Sequence, residues 1–149
     1  MKTLLAVLIL IATGCSSQQP SKNSIDKSAL PLVDSFFRNI ETKEASVAVE
    51  QLLASNPNIS LKDSATLNLK NNFILINEAS GPYIGNRVLK KRFMGDDIGI
   101  YSYLAKYEKK FYRFVFMFYN NGKSVKLYKF LFDDNIDLEL EESLRFYTN

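Results

Sequence analysis

An α+β fold is predicted by three observations. Before Gly81-Pro82 the apolar residues recur at the three- and four-residue spacing of a helix face. After it they alternate with period two, in segments rich in Tyr, Phe, Val and Ile. The alternating segments are joined by links of only a few residues, and such links connect antiparallel neighbours, because a parallel crossover needs a dozen residues or more. The expected architecture is N-terminal helices packed on a four-stranded curved antiparallel sheet, followed by a short C-terminal helix.

Each helix has its own signals. Pro31 suits a first helical turn, and Leu32, Val33, Phe36, Phe37 and Ile40 follow on one face. A second helix carries Ala45, Ala48, Val49, Leu52 and Leu53 and must stop before Pro57. Ser60 with Asp63 three residues later reads as a capping box opening a third, whose buried face is Leu61, Ala65, Leu69, Phe73 and Ile76. After the sheet, Ile136, Leu140, Leu144 and Tyr147 return to helical spacing.

Four strands are expected over residues 83–93, 98–107, 111–119 and 124–132, linked by Gly95-Asp96-Asp97, Glu108-Lys109 and Asn121-Gly122. Two-residue loops at the last two links pair Tyr103 with Phe114, Tyr101 with Phe116, Phe118 with Val125 and Phe116 with Leu127. One face is then Gly99, Tyr101, Tyr103, Ala105, Tyr112, Phe114, Phe116, Phe118, Val125, Leu127 and Leu131, with Lys129 its single charge. The other carries Ile98, Ile100, Leu104, Phe111, Val115, Met117, Tyr128, Phe130 and Phe132, diluted by Lys106, Arg113 and Lys126. Neither face is polar enough to be simply solvated.

The N-terminus follows different rules. Lys2 precedes an apolar run over residues 4–12, which ends in Thr13-Gly14-Cys15 and falls short of the ~20 apolar residues of a spanning helix. These residues resemble a bacterial lipoprotein signal peptide, in which a small-residue box ends at a cysteine that is diacylated and becomes the mature N-terminus. Without the resemblance, they also suit an ordinary secretory signal cut at an A-x-A-like site, or a buried N-terminal strand. Cys15 is the only cysteine, so a disulfide within one chain is excluded.

The resemblance implies permanent anchoring, since each buried acyl CH₂ contributes ~0.8 kcal/mol and two or three long chains act together. Ser16 stands where an Asp would favour inner-membrane retention. The implied location is therefore the bacterial envelope: the outer membrane facing the periplasm in a Gram-negative host, the outer face of the cytoplasmic membrane in a Gram-positive one. Residues 1–14 are then the signal peptide, 15–27 a polar tether and 28–149 a single α+β domain. Removing residues 1–14 from the 149 leaves 135, enough for one core, and takes Lys2 with it, lowering the formal charge from +3 to +2.

Composition narrows the chemistry. A nucleic-acid binder concentrates Lys and Arg on one face, whereas Lys90-Lys91-Arg92 is offset by the acidic residues between Asp133 and Glu142, and nucleic acid is not an expected partner. The chain has no histidine, which excludes a Cys/His nucleophile, a Ser/His/Asp triad and His-ligated zinc. Its glycines match neither phosphate-binding fingerprint, and no cofactor is expected. Asp133-Asp134-Asn135-Ile136-Asp137 looks like a calcium loop but has Leu138 where the sixth-position glycine belongs, so an Asp-rich helix N-terminus explains it better and no metal is expected.

Three helices followed by an aromatic-rich antiparallel meander resemble the nuclear transport factor two-like, or cystatin-like, class, in which a bent sheet wraps helices into a cone. The helical runs from Leu32 to Ile40 and from Leu61 to Ile76, the Gly81-Pro82-Tyr83 junction and the strands to Phe132 carry that resemblance. Small bacterial lipoproteins of unknown function contain such domains. Enzymes of the class place acids, bases and tyrosines in the cavity, and here Asp96 and Asp97 with Tyr101 and Tyr103 are the catalytic alternative. The preferred reading is noncatalytic: an envelope lipoprotein that binds a partner protein or an apolar ligand. Tyr101, Tyr103, Phe114, Phe116 and Phe118 are the candidate ligand face. Ile100, Val115, Met117 and Tyr128 are the candidate interface, for a homodimer or an envelope protein. A third alternative is an immunity or inhibitor protein against an envelope-acting toxin.

Overall fold

The computed structural model describes residues 24–42, 44–137, 139 and 141. Three helices, α1 (Ser24–Thr42), α2 (Ala45–Ala54) and α3 (Ser64–Ser80), precede four strands, β1 (Tyr83–Met94), β2 (Ile98–Tyr107), β3 (Phe111–Asn120) and β4 (Val125–Asp133). The strands form one antiparallel sheet in chain order, curved and unclosed, with the helices on one face. The predicted α+β architecture is what the chain adopts. Asp137, Glu139 and Glu141 are helical, while Leu140, Leu144 and Tyr147 of the expected C-terminal helix lie outside the described residues.

Helix α1 differs from the expectation at its start. Pro31 lies inside it, and residues 24–27, which composition assigns to the tether, are helical. An interior proline costs about 3 kcal/mol. Against that, Ile25 and Ala29 are buried in line with Val33, Phe36, Phe37 and Ile40, and a buried Ile alone contributes about 1.5–3 kcal/mol. The Tyr101 hydroxyl also donates to Asp26 Oδ1 at 2.7 Å, fastening this turn to the sheet. Lys27 and Pro31 both lie on the exposed side, where the lost i→i−4 bond is least harmful.

Helix α3 opens one turn later than the Ser60 box suggests. Its N-cap is Asp63, whose Oδ1 accepts from the Thr66 backbone N–H at 2.8 Å. It ends at Gly81, where φ of +76° suits glycine.

The β2–β3 register is as predicted, with Tyr101 opposite Phe116 and Tyr103 opposite Phe114. The β3–β4 register is not. Asn121 Oδ1 accepts from the N–H groups of Lys123 and Ser124, and pairing starts at Asn120 with Val125, so Phe118 faces Leu127 instead of Val125. That slip of two residues preserves the faces. A bulge at Tyr128 then inverts them, since Leu127 faces Phe118 while Lys129 faces the next residue, Met117. Phe130 and Phe132 therefore turn toward the helices, and Lys129 and Leu131 turn outward. Exchanging a lysine and a leucine for two phenylalanines on the inner face is the energetic reason.

The core between helices and sheet is aromatic. The ring of Phe36 lies 5.1–5.9 Å from those of Phe37, Phe73, Phe114, Phe116 and Phe130, mostly edge to face. Gly99 admits the first turn of α1: a Cβ there would lie 2.9 Å from Ile25 Cγ2 and 3.1 Å from the Tyr101 ring.

Candidate functional site

The two faces of the sheet have separate fates. On the inner face, Tyr101, Tyr103, Phe114, Phe116 and Phe118 are all buried beneath the helices. Phe37 stacks on Phe114 at 6.1 Å and meets Tyr103 at 5.1 Å, while Tyr101 closes on Phe118 at 5.7 Å. The residues expected to line a ligand-binding concavity are thus core. Phe36 and Phe37, on the helix face read from the sequence, pack against these side chains.

The tyrosine hydroxyls show the same environment. Burial raises the Tyr101 phenol, and the hydrogen bond to Asp26 raises it further. Burial, with the Asp34 and Asp26 carboxylates, pushes Tyr103 up to about 12, and Tyr83 reaches about 12 through burial as well. Tyr101 donates to Asp26, whereas the Tyr83 hydroxyl accepts from Asn86 Nδ2 at 2.7 Å. Asp96 and Asp97 lie exposed in the β1–β2 turn; Asp96 accepts from Ser24 Oγ at 3.3 Å, and its backbone carbonyl accepts from Asn120 Nδ2 at 3.0 Å. The partner of Tyr101 is Asp26, a residue that sequence reasoning left in the tether.

The outer face holds the other candidates. Ile100, Val115 and Met117 are half-buried there, and the bulge leaves Tyr128 65% exposed beside them. Ile98, Met117, Tyr119 and Tyr128 line an apolar groove of about 260 Å³. Tyr119 and Tyr128 also wall a second groove of about 310 Å³, with Asn56, Asn58, Asn121 and Lys126. Asn56 Nδ2 donates to the Leu127 carbonyl at 2.8 Å, which pins the α2–α3 loop against the strand next to the bulge.

Arg113, one of the cations on this face, is engaged. The Arg113 guanidinium is bidentate to Asp133, at 3.1 and 2.8 Å, and lies 3.6 Å from Glu139, which also accepts from Ser102 Oγ at 2.7 Å. The Asp133 bond raises the Arg113 pKa above its usual value. This network brings the chain after β4 onto the outer face, where Ile136 is buried. Sequence reasoning missed this network, because Arg113 faces Asp133 across β3 and β4 only once the bulge is counted. Asp134 pairs instead with Lys110 at 2.8 Å. Cys15 lies outside the described residues. The chain matches no family model, no curated protein and no solved structure.

Proposed function

We propose that this chain is an envelope lipoprotein, anchored through Cys15, that acts without catalysis by binding a partner protein on the outer face of its sheet. The observation that carries the binding reading is the bulge at Tyr128, which places a large aromatic side chain in solvent beside the apolar groove of Ile98, Met117 and Tyr119. Apolar surface of this kind is costly to leave wet and gains by being covered, and Tyr is among the residues most enriched at interface centres. The filled inner face favours a protein partner over an apolar ligand.

The anchor is tested by Cys15→Ala. Metabolic labelling with a clickable fatty acid should mark the wild type and not the variant, because no other thiol exists. Continued labelling of the variant overturns the anchor. The interface is tested by a photo-crosslinking residue at Tyr128 and, as control, at Leu75, which is 60% exposed on α3. An adduct of defined mass at Tyr128 alone, lost on adding Met117→Glu, supports the reading. Absence of adducts at Tyr128, with a monomeric protein in light scattering, removes it.

A further inference from the structure

The chain enters the folded domain at one end of the sheet, which carries exposed apolar and basic side chains. Ser24 bonds Asp96 in the β1–β2 turn, and Ile25 packs against Gly99 at the start of β2. In the same turn region Met94 is 68% exposed and Phe93 is 40% exposed, on opposite faces of the strand tip. The β3–β4 turn lies alongside, because Asn120 donates from its side chain to the Asp96 carbonyl and from its backbone to the Asp97 carbonyl. Lys91 and Arg92 precede the tip on β1, and Lys123 projects from the adjacent turn. Asp96 and Asp97 are the opposing carboxylates of this end.

We propose that the β1–β2 tip, with Phe93 and Met94 flanked by Lys91 and Lys123, docks onto the surface of an anionic lipid bilayer. The inference rests on the anchored reading, which fixes what this end can reach. Residues 16–23 span at most ~29 Å even fully extended, at ~3.6 Å per residue. The sheet runs for a comparable length away from Ser24, about 33 Å for the ten residues of β2, so the β1–β2 tip is the end nearest the tether and the β2–β3 turn the end farthest from it. Phe93 and Met94 supply apolar area for the headgroup boundary, and the neighbouring cations attract phosphate headgroups within a Debye length. Their arrangement on a hairpin tip allows insertion without unfolding any backbone pairing.

The chain contains no tryptophan, so Met94→Trp and Phe111→Trp each create a single fluorescent reporter at opposite ends of the sheet. Both sites are substantially exposed, and circular dichroism checks that each variant is folded. The full-length lipidated chain is reconstituted into vesicles of phosphatidylcholine and phosphatidylglycerol with brominated acyl chains. Fluorescence of the Met94→Trp protein should shift to the blue and be quenched several-fold more than that of the Phe111→Trp protein. Adding Lys91→Glu with Lys123→Glu should remove most of the difference. Equal quenching of the two reporters in protein that floats with the vesicles overturns the docking and leaves the anchor standing. Flotation unchanged by Cys15→Ala, with Met94→Trp still quenched, supports the docking and overturns the acyl anchor. Failure to float, with neither reporter quenched, overturns both.

Discussion

Gly99 and Ile25 should be energetically coupled, and the coupling measures whether the first turn of α1 belongs to the domain. A Cβ added at Gly99 would sit 2.9 Å from Ile25 Cγ2, closer than packed carbons tolerate, and 3.1 Å from the Tyr101 ring, which would have to give by a few tenths of an ångström. Overpacking of that kind costs typically 1–3 kcal/mol. Restricting the unfolded chain at the same position returns about 0.4–1 kcal/mol, so the net loss for Gly99→Ala should be about 1–2 kcal/mol. Ile25→Ala alone removes a fully buried side chain and should cost about 2–5 kcal/mol. In the double variant the clashing methyl is gone and the new Cβ fills part of the cavity. The combined cost should therefore fall short of the sum by about 1–2 kcal/mol, well beyond the ~0.5 kcal/mol scatter of independent sites. Urea unfolding followed by circular dichroism gives all four corners of the cycle; at a slope of about 2 kcal/mol per molar, the coupling moves the double-variant midpoint by about 0.5–1 M. Strict additivity, or an Ile25→Ala variant as stable as the wild type, would refute the placement of residues 24–27 against the sheet.

Phe116→Ala should cost about 3–5 kcal/mol, because its ring meets Phe36, Phe37, Tyr103 and Phe130 at 5.1–5.9 Å; a denaturation shift below about 1 kcal/mol would contradict the inner-face assignment. Alkaline pH should unfold the domain cooperatively. Tyr83 and Tyr103 are held near 12 when folded, against the ordinary 10.0 of the unfolded chain, so both states keep the proton below pH 10 and stability is level there. Between pH 10 and 12 the unfolded state deprotonates first, and stability falls as pH rises through that window. Tyrosinate absorbance and circular dichroism should then change together; these phenols ionising at pH 10 with the ellipticity intact would show that they are not buried.

Sequence by itself determined the element order, the antiparallel meander, the β2–β3 register and the identity of most of the core. These follow from local rules: the hydrophobic period distinguishes helix from strand, and the two-residue Glu108-Lys109 loop sets the pairing of its flanks. It also supplied the lone Cys15 on which the anchor proposal rests. Only the tertiary structure decided three other matters. Pro31 and a polar preamble signal a helix start, yet burial of Ile25 against Gly99, a contact across more than seventy residues, carries α1 back to Ser24. The alternation of β4 has no local mark of a bulge; which of Tyr128, Phe130 and Leu131 turns inward depends on the space beneath Phe36 and Phe73, near which Phe130 and Phe132 fit. Whether Tyr101, Tyr103, Phe114, Phe116 and Phe118 line a cavity or fill a core is likewise undetermined by period and composition, because both outcomes use the same residues. Phe36 and Phe37 of α1 fill that space, and the apolar groove beside Tyr128 lies on the outer face.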